Sequence, residues 1–146
     1  MSLPANTLLL LDTNVVIHLA RDDENGKKIE RQFGLTARPE RPLISSISVG
    51  ELLAMAYRRR WSDDKVAKLR TLVADLVQVS AGLGEVVENY ARLQCEKLEN
   101  GHPGEQNDLW IAATAKAAGA VLITFDKDFQ WLDGKHITVN WIAQAR

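Results

Sequence analysis

Near its start the chain reads Leu8-Leu9-Leu10-Leu11-Asp12-Thr13-Asn14-Val15-Val16-Ile17. The four leucines lack the period of an amphipathic helix and are too few to cross a membrane. They therefore predict a strand that is buried on both faces, as in the centre of a parallel sheet. Asp12 follows at the carboxyl end of this strand, where open α/β sheets bind ligands and where a poorly solvated carboxylate needs a cation or donors. Asp12 is a candidate site residue, although an Asp here also serves as a helix cap.

Apolar runs in the rest of the chain alternate between strand-like and helical patterns. Strands are predicted at 43–45, 77–80, 121–124 and 137–141, and helices at 15–20, 27–33, 48–57, 84–99 and 107–118, with a further helix opening at 62–64. Strands that alternate with helices through short loops predict an α/β fold, a three-layer α/β/α sandwich with a mainly parallel central sheet. A length of 146 residues without linker or repeat predicts a single domain over residues 1–146.

Three finer predictions concern local structure. The polar segment 21–26 is expected to be a turn between the first two helices. The helix at 84–99 is expected to turn Val87, Tyr90, Ala91 and Leu98 inward. Cys95, which is the single cysteine, rules out an internal disulfide and is expected to be a buried structural thiol rather than a catalytic one.

Composition excludes several classes of function. Lys and Arg number 18 and Asp and Glu number 19, so the formal net charge of -1 does not drive the chain toward nucleic acid or a membrane. Any polyanion must therefore bind a local patch. The segment 1–7 has no positive n-region, and the apolar run after it is too short for a signal peptide or a membrane span. Together with the single cysteine, this predicts a cytoplasmic protein.

Four acidic residues occupy similar positions in the predicted fold. Asp12, Glu51 and Asp126 come just after an apolar strand or at the start of the helix that follows one, and Asp108 begins the most apolar helix. Strand carboxyl ends and the N-termini of the following helices share one edge of a parallel sheet, so these carboxylates can meet. Each also has a structural explanation: a capping box for Ser48-x-x-Glu51, a favourable helix dipole for Asp108 and a turn for Asp126. Like charges ~4 Å apart repel by about 4 kcal/mol at an effective dielectric near 20, so a fold gathers four of them only around a cation.

The donor atoms predict which cation this is. Oxygen ligands without cysteine or histidine indicate Mg²⁺ or Mn²⁺ rather than zinc, since the three histidines show no ligand spacing. A pair of such ions polarises a phosphodiester, activates a water and holds the leaving oxygen. Thr13, Asn14 and Thr124 lie beside the acids and are predicted to position carboxylates, water or phosphate. Asp128 could share or replace Asp126 as the fourth acid.

Four segments of the chain resemble the four blocks of the PIN domain family, in order and over nearly its whole length. They are Leu10-Leu11-Asp12-Thr13-Asn14, Ser48-Val49-Gly50-Glu51-Leu52, Asn107-Asp108-Leu109-Trp110-Ile111-Ala112-Ala113 and Thr124-Phe125-Asp126-Lys127-Asp128-Phe129. Within that family the chain is most similar to VapC-type toxins of bacterial toxin-antitoxin pairs. The resemblance implies a metal-dependent ribonuclease whose acidic residues are Asp12, Glu51, Asp108 and Asp126. It also implies a homodimer and a small antitoxin that lays a peptide across the active site.

Two alternatives remain within this family. The chain could be a non-catalytic PIN-like interaction module, or a PIN nuclease outside a toxin-antitoxin system. Two other families are disfavoured by the residues around Asp12. A phosphatase of the haloacid dehalogenase type would need an Asp where Asn14 stands, and a response-regulator receiver would need an acidic pair before Asp12.

Surface predictions rest on weaker patterns. Arg58, Arg59 and Arg60 form a basic run that could bind an RNA backbone, with Trp61 stacking on a base, or could be a solvated helix end. A second basic cluster consists of Lys27, Lys28 and Arg31. The predicted dimer surface consists of Leu52, Leu53, Tyr57 and Trp61, while Trp110, Trp131 and Trp141 are predicted to be core or interface aromatics rather than base platforms.

Overall fold

A five-stranded parallel sheet forms the centre of the protein. The computed structural model describes residues 3–145; the predictions that involve Met1, Ser2 and Arg146 lie outside them. The strands are β1 (Leu9–Leu11), β2 (Leu43–Ser45), β3 (Val77–Val79), β4 (Val121–Thr124) and β5 (Thr138–Trp141), in the order β3-β2-β1-β4-β5. Every pair of neighbouring strands is parallel. Because β1 is the third of the five strands in this order, the predicted central position of the leucine strand is confirmed.

Helices cover both faces of this sheet. They are α1 (Thr13–Arg21), α2 (Glu24–Phe33), α3 (Ser46–Arg58), α4 (Asp63–Ala74), α5 (Gly84–Asn100) and α6 (Gln106–Ala118), with 3₁₀ turns at Leu35–Ala37 and Lys127–Leu132. Because successive side chains of a strand point to opposite faces, Leu9 and Leu11 enter the core beneath α1 to α4, and Leu10 enters the core beneath α5 and α6. The predicted three-layer α/β/α arrangement is confirmed.

The first two helices are closer together than the sequence predicted. The polar turn predicted over 21–26 is shorter than expected: it consists of Asp22, whose backbone is left-handed with φ 51°, and Asp23, because Arg21 ends α1 and Glu24 begins α2. The Asp23 side chain caps α2 by accepting a hydrogen bond from the Gly26 backbone at 2.9 Å. A Cβ at Gly26 would lie 2.3 Å from the carbonyl oxygen of His18, so only glycine permits this approach of α2 to α1.

Helix α5 is present as predicted, but it is rotated. Val86 and Leu93 are buried, whereas Val87 and Leu98 are 45% and 70% exposed and Ala91 also faces solvent. The prediction was correct only for Tyr90, which stacks on Trp110 of α6 at 3.8 Å between ring centroids. The prediction for Cys95 was also wrong, because this thiol is exposed. The predicted inward residues and the residues that are actually buried both have helical spacing. Packing against α6 determines which of the two sets faces the core.

The apolar surface predicted on α3 is smaller than expected. Leu52 is fully buried under the α1 to α4 face, so it cannot contribute to a dimer surface, and Leu53 and Trp61 pack against the same core. Tyr57 remains 59% exposed. In the chain from residue 3 to residue 145, no helix has the length and apolar character needed to cross a membrane.

Candidate active site

Asp12 lies where β1 ends and α1 begins, and the residue is only 4% exposed. Oδ1 accepts a hydrogen bond from the Thr13 backbone at 2.8 Å, so Asp12 does cap α1. Oδ2 accepts a hydrogen bond from the buried Thr124 hydroxyl at 2.6 Å. Burial raises the pKa of Asp12 to about 7, and the charges of Asp108 and Glu51 act in the same direction against the two hydrogen bonds.

Glu51 is held at the same edge of the sheet by α1 and α6. Its Oε1 accepts a hydrogen bond from the Thr13 hydroxyl at 2.6 Å, and its Oε2 accepts one from the Asn107 amide at 3.2 Å. The alternative explanation of Ser48-x-x-Glu51 as a capping box does not apply, because α3 is capped by Ser45, whose Oγ accepts a hydrogen bond from the Ile47 backbone at 3.1 Å. Glu51 therefore lies in the second turn of α3 and has no role in capping that helix.

Asp108 occupies the third position of α6. Its Oδ2 accepts a hydrogen bond from the Glu105 backbone at 3.0 Å, so the predicted role at the helix start is present. Partial burial, followed by the charges of Asp126, Glu105 and Glu51, raises its pKa to about 6. One carboxylate oxygen each from Asp108, Asp126 and Asp128 lie within 4.8 Å of one another. Asp108 is therefore both a helix cap and a member of an acidic cluster.

Thr124, the last residue of β4, connects the buried Asp12 to the acids that follow this strand. Its hydroxyl donates to Asp12 and accepts a hydrogen bond from the Asp126 backbone at 3.0 Å. Asp126 in turn caps the 3₁₀ turn that follows β4, since its Oδ1 accepts a bond from the Asp128 backbone at 2.8 Å. Because Asp126 and Asp128 both approach Asp108, the choice between them as fourth acid stays open.

Other predicted site residues have different surroundings. The side-chain oxygen of Asn14 is buried and has no hydrogen-bond partner among residues 3–145. The basic run Arg58, Arg59 and Arg60 is exposed at the end of α3, about 10 Å along the helix axis from Glu51. The structure does not bring this run into the acidic cluster.

Sequence reasoning did not assign a role to Asn107, whose amide orients Glu51 across 56 residues of sequence. Its position directly before Asp108 in the third PIN-like block was the available signal. The contact itself requires α3 and α6 to be placed side by side, so no local pattern could have revealed it.

The site is a set of oxygen donors that, among the residues the structure describes, forms no ion pair with a basic side chain. Among residues 3–145, ion pairs join other residues, and none includes Asp12, Glu51, Asp108, Asp126 or Asp128. Asp108, Asp126 and Asp128 are close enough for one ion to bind all three. Glu51 lies near enough to raise the pKa values of Asp12 and Asp108, and Asp108 lies near enough to raise that of Asp12. Such an arrangement can hold a hard cation and present it to a phosphate group.

Comparisons with known proteins identify the family of this chain. The family model of the PIN domain matches residues 9–135. Ribonuclease VapC5 of Mycobacterium tuberculosis is 31% identical over 127 residues, which cover 86% of this chain and 87% of that protein.

Solved structures share the fold. A member of the VapBC family of toxin-antitoxin systems, VapBC-5 from Mycobacterium tuberculosis, has a TM-score of 0.67 at 26% identity, covering 95% of this chain and 100% of the other. VapBC2 from Rickettsia felis, bound to a promoter DNA fragment, has a TM-score of 0.78 at 21% identity, covering 92% of this chain and 98% of the other. The second likeness concerns the fold alone.

Proposed function

The chain belongs to the PIN domain family, and on that premise we propose that it is a metal-dependent endoribonuclease that hydrolyses RNA phosphodiester bonds. We further propose that it is the toxin of a VapBC-type toxin-antitoxin pair. The relative named ribonuclease VapC5 supports the activity, and the similar VapBC-5 complex supports the pairing with an antitoxin. The proposed nuclease domain is the whole chain, 1–146.

The observation that carries the proposal is the burial of Asp12 without a positive partner. A carboxylate that is 4% exposed, with its pKa raised to about 7, is unfavourable as an anion, and Glu51 and Asp108 add repulsion. A scaffold for binding alone would gain stability by replacing it. A divalent cation would offset both burial and repulsion, so the residues fit Mg²⁺ or Mn²⁺.

The proposed chemistry divides into the ion's part and the chain's part. Bound Mg²⁺ or Mn²⁺ supplies Lewis acidity, which polarises the phosphodiester and lowers the pKa of the attacking water. Asp108 and Asp126 would hold it, with Asp12 and Glu51 completing the acidic set and Asp128 as the alternative to Asp126. Thr124 keeps Asp12 and Asp126 in register, while Thr13 and Asn107 orient Glu51. Asn14 would position water or phosphate, and within residues 3–145 its buried side-chain oxygen has no other hydrogen-bond partner.

The proposed partners are an RNA substrate, a small antitoxin protein and a second copy of the chain, and the proposed location is the cytoplasm. Arg58, Arg59 and Arg60 remain a proposed RNA contact away from the acids. Coexpression with any small protein found to be encoded immediately upstream of this chain, followed by copurification and light scattering, tests both protein partners. Failure of that protein to copurify would favour a PIN nuclease outside a toxin-antitoxin system, and a monomer at micromolar concentration would contradict the homodimer.

The activity is tested with the purified chain, freed of any partner, on structured RNAs with Mg²⁺ or Mn²⁺ and with EDTA as control. We expect cleavage with the ions, none in EDTA, and loss of cleavage in Asp12→Asn. Glu40→Gln, an exposed acid in the loop before β2, is the matched control and should cleave normally. Mn²⁺ at 100 times its Kd should also stabilise the fold by about 2.7 kcal/mol. Cleavage that persists in EDTA would contradict the mechanism, and Mn²⁺ binding without cleavage of any RNA would favour the interaction module.

A further inference from the structure

Lys127 is a cation placed between two of the acids. It separates Asp126 from Asp128 in the sequence and begins the 3₁₀ turn that follows β4. Its side chain is exposed, yet within residues 3–145 it forms no ion pair with either neighbour. Instead its Nζ lies over the ring of Trp141, 4.7 Å from the centroid. The carboxylates and the ammonium group therefore leave this turn in different directions.

Trp141 is anchored to the same strand end as the acids. It is the last residue of β5 and pairs in register with Thr124, which holds Asp12. Its indole Nε1 donates a hydrogen bond to the backbone carbonyl of Asp126 at 2.8 Å. The ring is partly buried and packs against the core on the α5 and α6 side. Trp141 thus gives Lys127 a platform whose position relative to the acidic cluster is set by backbone pairing.

The positive charge of Lys127 could serve to bind a substrate phosphate beside the acidic cluster. The acidic cluster repels a phosphate backbone everywhere except at the ion it holds, so a substrate strand needs a positive contact beside it. Lysine is a compact point charge that binds phosphate oxygens without a fixed geometry. The exposed ammonium group of Lys127 is held only by its contact with the partly buried ring and can turn from the ring to a phosphate.

We propose that Lys127 binds the RNA phosphate next to the one that is cleaved, and that Trp141 is the positioning residue that holds Lys127 at the rim of the acidic site. This inference rests on the proposed ribonuclease function and adds a substrate contact to it. It also gives Trp141 a role beyond the core or interface position predicted from the sequence.

The dependence of KM on salt tests the contact, because a phosphate contact releases counterions and a merely structural lysine does not. Lys127→Met should raise KM about fivefold at 0.1 M salt, leave kcat almost unchanged, and reduce the slope of log KM against log salt by about 0.7. Lys127→Arg, which keeps the charge, should retain the slope of the parent protein. Lys116→Met is the matched control: Lys116 is an exposed lysine whose Nζ lies 3.1 Å from the Nδ1 of His136, at the far end of α6 from Asp108. It should change neither KM nor slope.

The role of Trp141 is tested by a double-mutant cycle. Trp141→Leu should raise KM less than Lys127→Met does, and it should have no further effect in the Lys127→Met background. Should Trp141→Leu fail to fold, the comparison of Met and Arg at position 127 still decides the phosphate contact. A parent protein that cleaves RNA, together with Lys127→Met that keeps its KM and slope, would overturn this inference and leave the proposed function intact. Equal slope changes in Lys127→Met and Lys116→Met would overturn it as well, and absence of cleavage by the parent would overturn both.

Discussion

Helices α4 and α6 begin with similar acidic sequences but in very different surroundings. Asp63 and Asp64 open α4 after Ser62, whose Oγ accepts a hydrogen bond from the Lys65 backbone at 3.3 Å, and both acids are exposed. Asp108 opens α6 with a comparable bond to the backbone, yet it faces Asp126 and Asp128. The helix dipole favours an acid at both places by about 0.3 to 1 kcal/mol. The difference is that other carboxylates lie close to Asp108, because α6 packs against β4 and the turn that follows it.

The comparison shows that one local signal can carry two roles. At α4 the acids serve the helix alone, because solvent surrounds them. At α6 Asp108 also accepts a backbone hydrogen bond, from Glu105, but partial burial and neighbouring charges raise its pKa to about 6. Substitutions at the two helix starts therefore separate the capping role from the proposed catalytic one.

The largest expected difference is in activity. Asp108→Asn should lower RNA cleavage about 100-fold or more, because it removes one of the proposed ion ligands, whereas Asp64→Asn should cleave at the rate of the parent. In EDTA we also expect Asp108→Asn to melt higher than the parent, since it relieves repulsion and Asn still accepts the Glu105 bond. Cleavage assays and thermal melts of the two variants check this. A variant Asp108→Asn that melts lower and cleaves normally would show that Asp108 serves only the start of its helix, as Asp64 does.

The next difference is in the pH dependence of stability. The pKa of Asp12 is raised from 3.8 to about 7 and that of Asp108 to about 6, so folding favours their neutral forms. Their contribution to stability is present below the unfolded pKa and is lost as pH rises through the folded pKa. At ~1.4 kcal/mol per pKa unit, Asp12 alone corresponds to roughly 4 kcal/mol.

In EDTA the melting temperature should therefore rise between pH 8 and pH 5. Asp12→Asn and Asp108→Asn should each flatten this rise, and Asp64→Asn should keep it. Thermal melts in a series of buffers measure the effect. Identical pH profiles in all four proteins would show that these carboxylates are not crowded in the metal-free protein.

The smallest expected effect belongs to the cap of α4. Ser62→Ala should lower the free energy of unfolding by about 1 kcal/mol, because it removes the acceptor for the Lys65 backbone. Cleavage should not change, since this helix start contributes nothing to the proposed site. Urea denaturation and the RNA assay measure both quantities. A loss of activity in Ser62→Ala at normal stability would mean that α4 takes part in the function.

Much of the fold follows from local patterns in the sequence. The leucines of β1 predict a central strand because a run without polar residues must be covered on both faces, and the structure covers it with α1 to α4 on one side and α5 and α6 on the other. The alternation of strands and helices predicts parallel pairing, which places the strand ends that carry Asp12 and Asp126 at one edge. These features depend on neighbours in sequence and on general rules of chirality, so the sequence alone determines them.

Tertiary structure decides two kinds of feature. In the first, two local sequence patterns predict different structures for the same segment; in the second, residues far apart in the sequence come into contact. Val87 and Val86 both fit a helical face, and only contact with α6 buries Val86 and leaves Val87 in solvent. Ser48-x-x-Glu51 fits a capping box, but Ser45 caps the helix and Glu51 instead binds Thr13 and Asn107. The pKa values of Asp12 and Asp108 likewise depend on burial by residues far away in the chain. Sequence determines which residues can reach the edge of the sheet, and packing determines which of them meet and how strongly they interact.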